Sequence, residues 1–245
     1  MPPRAILFDL DGTLRHSVPS GFQTFTAILH DLGWPLEAEA LRIGERWTHF
    51  YWSIAPEMIQ DLDELGADTP AFWARYAQRQ IEALGLGAQS SELAADVTRL
   101  MAERYRPTDC VPDDVRPTLL ELRGRGLKVA LVSNRGEVLA PVAEALGLAD
   151  LFDLTLSAGE AGYWKPAPEI FRIALERLSV APGEAIYVGD NFHADVEGAR
   201  HAGLTPILID PSGLFPEPGC TVITTIGQLP AALELQDVPA KAVEG

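Results

Sequence analysis

Six short runs of apolar, mostly branched residues punctuate the chain, at 4–8, 128–132, 154–157, 185–189, 205–209 and 221–225. Each is of strand length, and each reads as a buried strand. Between most of them lie stretches with helical spacing, at 117–124, 137–146, 168–178 and 194–202. Such alternation from about residue 115 onward predicts an α/β fold with a doubly wound, mainly parallel (Rossmann-like) sheet, because parallel neighbours need a crossover and a helix supplies it. The stretch between the first two strands breaks the rhythm. It shows helical patterns at 20–32, 37–62, 70–84 and 90–105 and no convincing strand. Thr69-Pro70 marks one helix start, with Thr69 as N-cap and Pro70 in the first helical position. The expected organisation is therefore a core of residues 1–17 and 110–245 with an α-helical module inserted at 18–109. The expected hinges are His16–Ser20 and the proline-flanked Pro107–Pro112.

A chain of 245 residues suits one large domain carrying such an insertion. With 19 Lys and Arg against 35 Asp and Glu, its formal charge of −16 would repel a polyanion, so no nucleic-acid partner is expected, and any phosphate site must be made positive locally. Its apolar runs fall far short of the ~18 residues that suggest a membrane span. The N-terminal run is strand-length and followed at once by acids, unlike a secretory signal, so a cytoplasmic location is expected, as monomer or homodimer. Cys110 and Cys220 lack the spacing of a redox or zinc motif.

Chemistry-bearing residues sit at the strand ends, where an open α/β sheet binds its ligands. Asp9 and Asp11 follow the first strand, with Gly12 and Thr13 after them. Taken alone, Asp-Gly there reads equally well as a simple turn capped by Asp9. The second strand ends in Ser133-Asn134, a hydroxyl and an amide suited to phosphate oxygens or, equally, to capping. Lys165, on a turn stiffened by Pro166 and Pro168, could neutralise a nucleophile and a transferring phosphoryl group; alone it reads as a surface lysine. Gly189-Asp190 closes the fourth strand and Asp195 follows, a pair of acids suited to Mg²⁺, although Asp195 can also serve as a helix cap. The joint occurrence of D-x-D-G-T, S-N, K-P and G-D-x-x-x-x-D in this order is far more specific than any member.

At these residues the sequence resembles the haloacid dehalogenase-like hydrolases, in the branch with a helical cap inserted after the first motif. FDLDGTL (8–14), VSN (132–134), KPAPEIF (165–171) and GDNFHADVEGARHAG (189–203) look like the four motifs of that family. The resemblance implies a Mg²⁺-dependent phosphatase acting on a small phosphorylated metabolite through an aspartyl-phosphate. It implies that Asp9 is the nucleophile and Asp11 the general acid and base. Ser133 and Lys165 would hold the phosphoryl group, with Thr13 and Asn134 beside the substrate. Asp9, the backbone carbonyl of Asp11, and Asp190 would bind Mg²⁺, with Asp195 behind them or bound through water.

The cap would close over the site and choose the substrate. His16, Arg46 and His49 are the candidates, the last two sharing a helix face; Trp47, Phe50, Tyr51 and Trp52 around them can equally be core of the cap. Arg15-His16 stand where many relatives carry an acid or a small polar residue, which leaves substrate identity open. An acid at position 11 argues against a dehalogenase or phosphonatase, which has no ester oxygen to protonate. A sugar-phosphate mutase ranks second, since mutase relatives commonly carry Val at the place of Thr13. A non-catalytic phosphate-ligand binder on the same fold is the remaining alternative.

Overall fold

The computed structural model describes residues 2–236. The chain divides into two units, one formed by residues up to Arg15 together with those from Val111 onward, the other by His16–Cys110.

The first unit is built on a six-stranded, all-parallel sheet. In chain order its strands are β1 (Ala5–Phe8), β4 (Lys128–Ser133), β5 (Leu154–Ser157), β6 (Ala185–Gly189), β7 (Thr205–Ile209) and β8 (Thr221–Ile223), arranged in space as β5-β4-β1-β6-β7-β8. The winding reverses at β1, which lies between β4 and β6, so the topological switch point falls at the carboxyl ends of these three strands.

Why these runs make a two-sided sheet follows from the alternation of their side chains. Ile6, Phe8, Val129, Leu131, Ile186 and Val188 face one layer, where they meet Val115, Leu119 and Leu122 of α6 (Val115–Gly124), Leu139 and Ala143 of α7 (Leu139–Ala145), and Leu229 of α11 (Leu229–Gln236). Ala5, Leu7, Ala130, Val132, Ala185 and Tyr187 face the other, against Ile170, Phe171, Ala174, Leu175 and Leu178 of α9 (Pro168–Leu178) and Ala199 and Ala202 of α10 (Gly198–Ala202). The short α8 (Ala158–Ala161) is started by Ser157, whose hydroxyl accepts from Glu160 N while Glu160 reaches back to Ser157 N.

The second unit carries α1 (Gly21–Asp31), α2 (Ala38–Tyr51), α3 (Pro56–Leu65), α4 (Pro70–Ala83) and α5 (Ser90–Arg104). Phe25, Ile28 and Leu29 of α1, Ala77 and Ile81 of α4, and Ala94, Val97 and Leu100 of α5 form its core. Thr69 caps α4 by accepting from Phe72 N, with Pro70 at the helix start, as the sequence indicates. The single helix expected at 37–62 is in fact two. Trp52 ends α2, Ile54 takes a left-handed φ of 62°, and Pro56, which has no N–H to give to the preceding turn, opens α3.

Within the two stretches expected as hinges, β2 (His16–Val18) runs antiparallel to β3 (Thr108–Cys110), with His16 opposite Cys110. Among the described residues no helix is long and apolar enough to cross a membrane.

Candidate active site

The switch point gathers three carboxylates. Asp9 leaves the end of β1, Asp190 follows Gly189 at the end of β6, and Asp195 lies in a π-helical turn at Phe192–Glu197. One oxygen from each lies within 4.8 Å of the other two. The start of that turn is capped by Asn191, whose side chain accepts from His193 N and Ala194 N. Asp195 is therefore not the cap. It is buried, its Oδ1 accepts from Lys165 Nζ at 2.7 Å, and its Oδ2 accepts from Asn191 N at 2.9 Å.

Two glycines make this crowding possible. A Cβ on Gly12, whose φ is +87°, would overlap the Asp190 carboxylate, and one on Gly189 would overlap that of Asp195.

Lys165 is almost wholly buried at the centre of the group. Its ammonium has three N–H donors, and all three are engaged: Asp9 Oδ1 at 2.7 Å, Asp195 Oδ1 at 2.7 Å and Tyr187 OH at 2.8 Å. Its main chain is fixed by Asn134, which donates from Nδ2 to Lys165 O at 2.9 Å and accepts from Lys165 N at Oδ1 at 2.7 Å. The Asn134 amide thus ties the end of β4 to the lysine turn. Ser133, the last residue of β4, is buried next to it. Thr13 is also buried and donates from Oγ1 to Asp190 Oδ1 at 3.2 Å, so it orients an acid of the cluster.

The electrostatics follow from three buried acids around one cation. Burial pushes the Asp9 carboxyl up from the ordinary 3.8 to about 7, with Lys165 pulling against this and Asp195 and Asp11 adding to it. Burial, then Asp9 and Asp195, also raise Asp190 well above its ordinary value. Burial opposes the charge on Lys165, but Asp195 and Asp9 outweigh it and hold the ammonium well above the ordinary lysine value. One cation against three acids leaves the cluster short of positive charge. Closely spaced carboxylate oxygens are the donor set of a hard divalent cation, so the residues present fit Mg²⁺.

Asp11 stands apart from this cluster. Its carboxylate is gripped by two guanidiniums, with Arg135 donating from Nε to Oδ2 at 2.7 Å and from Nη2 to Oδ1 at 2.8 Å, and Arg15 from Nη1 to Oδ1 at 2.8 Å. Neither arginine stood out in the sequence as a partner of Asp11. Arg15 is four positions away, but Arg135 comes from the loop after β4, 124 positions along the chain. Tyr187 was missed too, being counted within a strand; a tyrosine on a buried strand face needs a partner for its hydroxyl, and that was the available signal.

Of the specificity candidates, His16 lies on β2, and Arg46 and His49 lie on α2 in the helical unit. Arg46 there pairs with Glu39 at 3.5 Å. Trp47, Tyr51 and Trp52 pack with Tyr76 at ring-centroid distances of 5.1–5.7 Å.

A doubly wound sheet with acids and a buried lysine at its switch point places the chain among α/β proteins with a site at the strand ends, and comparison with known proteins narrows the class. The profile of the haloacid dehalogenase-like hydrolases matches residues 3–203, and the chain belongs to that family. It is 34% identical over 233 residues to a phosphoserine phosphatase of Thermus thermophilus, covering 87% of this chain and 91% of the relative. It is 31% identical over 212 residues to a ribulose-1,5-bisphosphate 5-phosphatase of Halopiger xanaduensis, covering 85% of each. Among solved structures, a HAD phosphatase from Thermococcus onnurineus aligns with a TM-score of 0.56 and 26% identity over 94% of this chain and 97% of the other.

Proposed function

We propose that this chain, a phosphate monoester hydrolase by its family and its curated relatives, hydrolyses small phosphorylated metabolites through an aspartyl-phosphate on Asp9. The observation that carries the reading is the placement of Asp9. It is buried at the switch point, 2.7 Å from the Lys165 ammonium and grouped with Asp190 and Asp195.

An Asp9 oxygen attacks phosphorus, the bond from phosphorus to the ester oxygen breaks, and Asp11 delivers a proton to that oxygen as the alcohol leaves. Asp11 then takes a proton from water, the water oxygen attacks the phosphorus of the aspartyl-phosphate, and inorganic phosphate departs as Asp9 is regenerated. Lys165 and Ser133 hold the phosphoryl group. To reach it, Lys165 must redirect one of the three N–H donors that now serve Asp9, Asp195 and Tyr187. Asp9, Asp190 and the main chain of Asp11 would hold Mg²⁺, with Asp195 fixed behind them by Lys165 and Asn191 N. When bound, the cation neutralises the carboxylates and the phosphoryl charge that an anionic nucleophile has to approach.

The test is hydrolysis of p-nitrophenyl phosphate with and without Mg²⁺ by the wild type and by Asp9→Asn. Turnover that requires both the cation and Asp9 supports the mechanism. Turnover that survives in Asp9→Asn sinks it.

A further inference from the structure

We propose that Arg135 reads a second anionic group, a carboxylate or phosphate, on the leaving-group part of the substrate, exchanging the Asp11 carboxylate for it. The inference rests on the phosphatase reading, because that reading puts the leaving group beside Asp11.

Arg135 follows Ser133 and Asn134 directly, so it springs from the same strand end as the phosphoryl-holding hydroxyl. Its backbone is fixed: its carbonyl accepts from Gly159 N at 3.0 Å, and Gly159 lies so close that a Cβ there would overlap the Gly136 carbonyl. A guanidinium on a fixed stem is presented at a defined place. It meets Asp11 as a fork, with Nε and Nη2 on separate oxygens. That geometry suits any planar oxyanion or a phosphate as well as it suits Asp11.

Exposure separates this pair from the rest of the site. The Lys165 and Asp9 side chains are 2% and 9% exposed, whereas Arg135 and Asp11 are 24% and 39% exposed. The fork is thus partly open to solvent, so an oxyanion arriving from solvent can compete with Asp11 for Nε and Nη2, while Nη1 stays on Glu137 Oε1 at 2.8 Å. Arg15 remains on Asp11 Oδ1 at 2.8 Å, so the carboxylate keeps a counter-charge when Arg135 turns away.

The exchange also has a mechanistic reason. With both oxygens of Asp11 engaged by guanidiniums, the group must first give up contacts with them to meet a leaving oxygen. A substrate whose own anion takes the Arg135 fork vacates Asp11 as it binds, and a substrate with a neutral tail does not. A chain of formal charge −16 needs such a local cation before it can hold a substrate bearing two anionic groups.

The test uses two esters of one skeleton, 3-phosphoglycerate and glycerol 3-phosphate, which carry a carboxylate and a hydroxymethyl group at the same place. Steady-state kcat/KM is measured on the wild type, Arg135→Gln and Arg135→Lys. Calorimetric binding of both esters in Mg²⁺ buffer is measured on Asp9→Asn with and without Arg135→Gln. The wild type should prefer the acid by about tenfold or more, as expected of a hydrogen-bonded pair of charges. Arg135→Gln should bring the ratio close to unity, and Arg135→Lys, which keeps the charge but not the fork, should fall between. The ratio is internal to each variant, so a general loss of activity does not mimic the effect.

No preference in the wild type, or a preference that survives Arg135→Gln, overturns the inference. Turnover without discrimination leaves the phosphatase reading standing alone. Conversely, Arg135-dependent discrimination in binding with no turnover of either ester leaves the anion site standing without the phosphatase reading.

Discussion

Tyr187 accepts a hydrogen bond from Lys165 Nζ at 2.8 Å and donates its own proton to the Val132 carbonyl at 2.7 Å, so a strand of the core fixes the cation of the site. Phe171 braces the tyrosine ring from α9 at a centroid distance of 4.9 Å. Tyr187→Phe keeps the ring and removes the hydroxyl, leaving one N–H of a buried ammonium without its partner and taking one donor from the Val132 carbonyl. The expected cost is about 1–3 kcal/mol in urea unfolding. A fall in kcat should accompany it, as Lys165 gains freedom to turn. Unchanged stability and unchanged kcat would show that Tyr187 does not hold the lysine.

The raised Asp9 carboxyl sets a pH dependence in metal-free protein. Its proton is held to about pH 7 in the folded chain but is lost near the ordinary 3.8 on unfolding, so between these values the folded state binds more protons. Stability therefore falls as pH rises through this window, and the contribution is fully present only below it. Melting in EDTA should show Tm declining from about pH 4 to pH 7. Excess Mg²⁺ should raise Tm more at pH 7 than at pH 5, because a cation binds the ionised acids. A Tm in EDTA that rises through this interval would contradict the assignment.

Gly189→Ala tests close approach without backbone strain, because Gly189 is not among the positive-φ glycines. The added methyl would overlap the Asp195 carboxylate, which must then shift and take its Lys165 contact with it. We expect destabilisation of about 1–3 kcal/mol, as for an overpacked core, together with weaker Mg²⁺ binding by calorimetry. Wild-type Mg²⁺ affinity in a folded Gly189→Ala would mean that Asp195 has no part in arranging the site.

The core was legible because its strands are unbroken apolar runs and its chemistry sits where those runs stop. Asp9, Ser133 and Asp190 could be placed at one end of a sheet from order alone. The helix at 168–178 was equally plain, with Pro168 at its first position and an apolar face. What escaped was short or long-range. β2 and β3 have three residues each and little burial, so no hydrophobic pattern announces them. The break at Pro56 was hidden because apolar spacing resumes on both sides of it. The Asp11–Arg135 fork joins residues 124 apart, and the bonds of Asn134 to the Lys165 main chain depend on how two loops meet. Neither is written in local sequence.

Asp11→Asn separates the two halves of the proposed reaction. Nitrophenolate leaves without a proton, so p-nitrophenyl phosphate can still phosphorylate Asp9, whereas an alkyl phosphate needs Asp11 to protonate its departing oxygen. Hydrolysis of the aspartyl-phosphate needs the same residue as a base in either case. In rapid-mixing experiments with Mg²⁺, the variant should release a burst of about one nitrophenolate per enzyme and then stall. With glycerol 3-phosphate it should show no burst and a rate about 10²–10⁴-fold below wild type. Removing the carboxylate also takes the acid away from the Nε and Nη2 fork of Arg135, which would tighten binding of an anionic ester, so KM should not rise with the loss of kcat. Equal, burst-free losses with both esters would assign Asp11 to holding the site together rather than to moving protons.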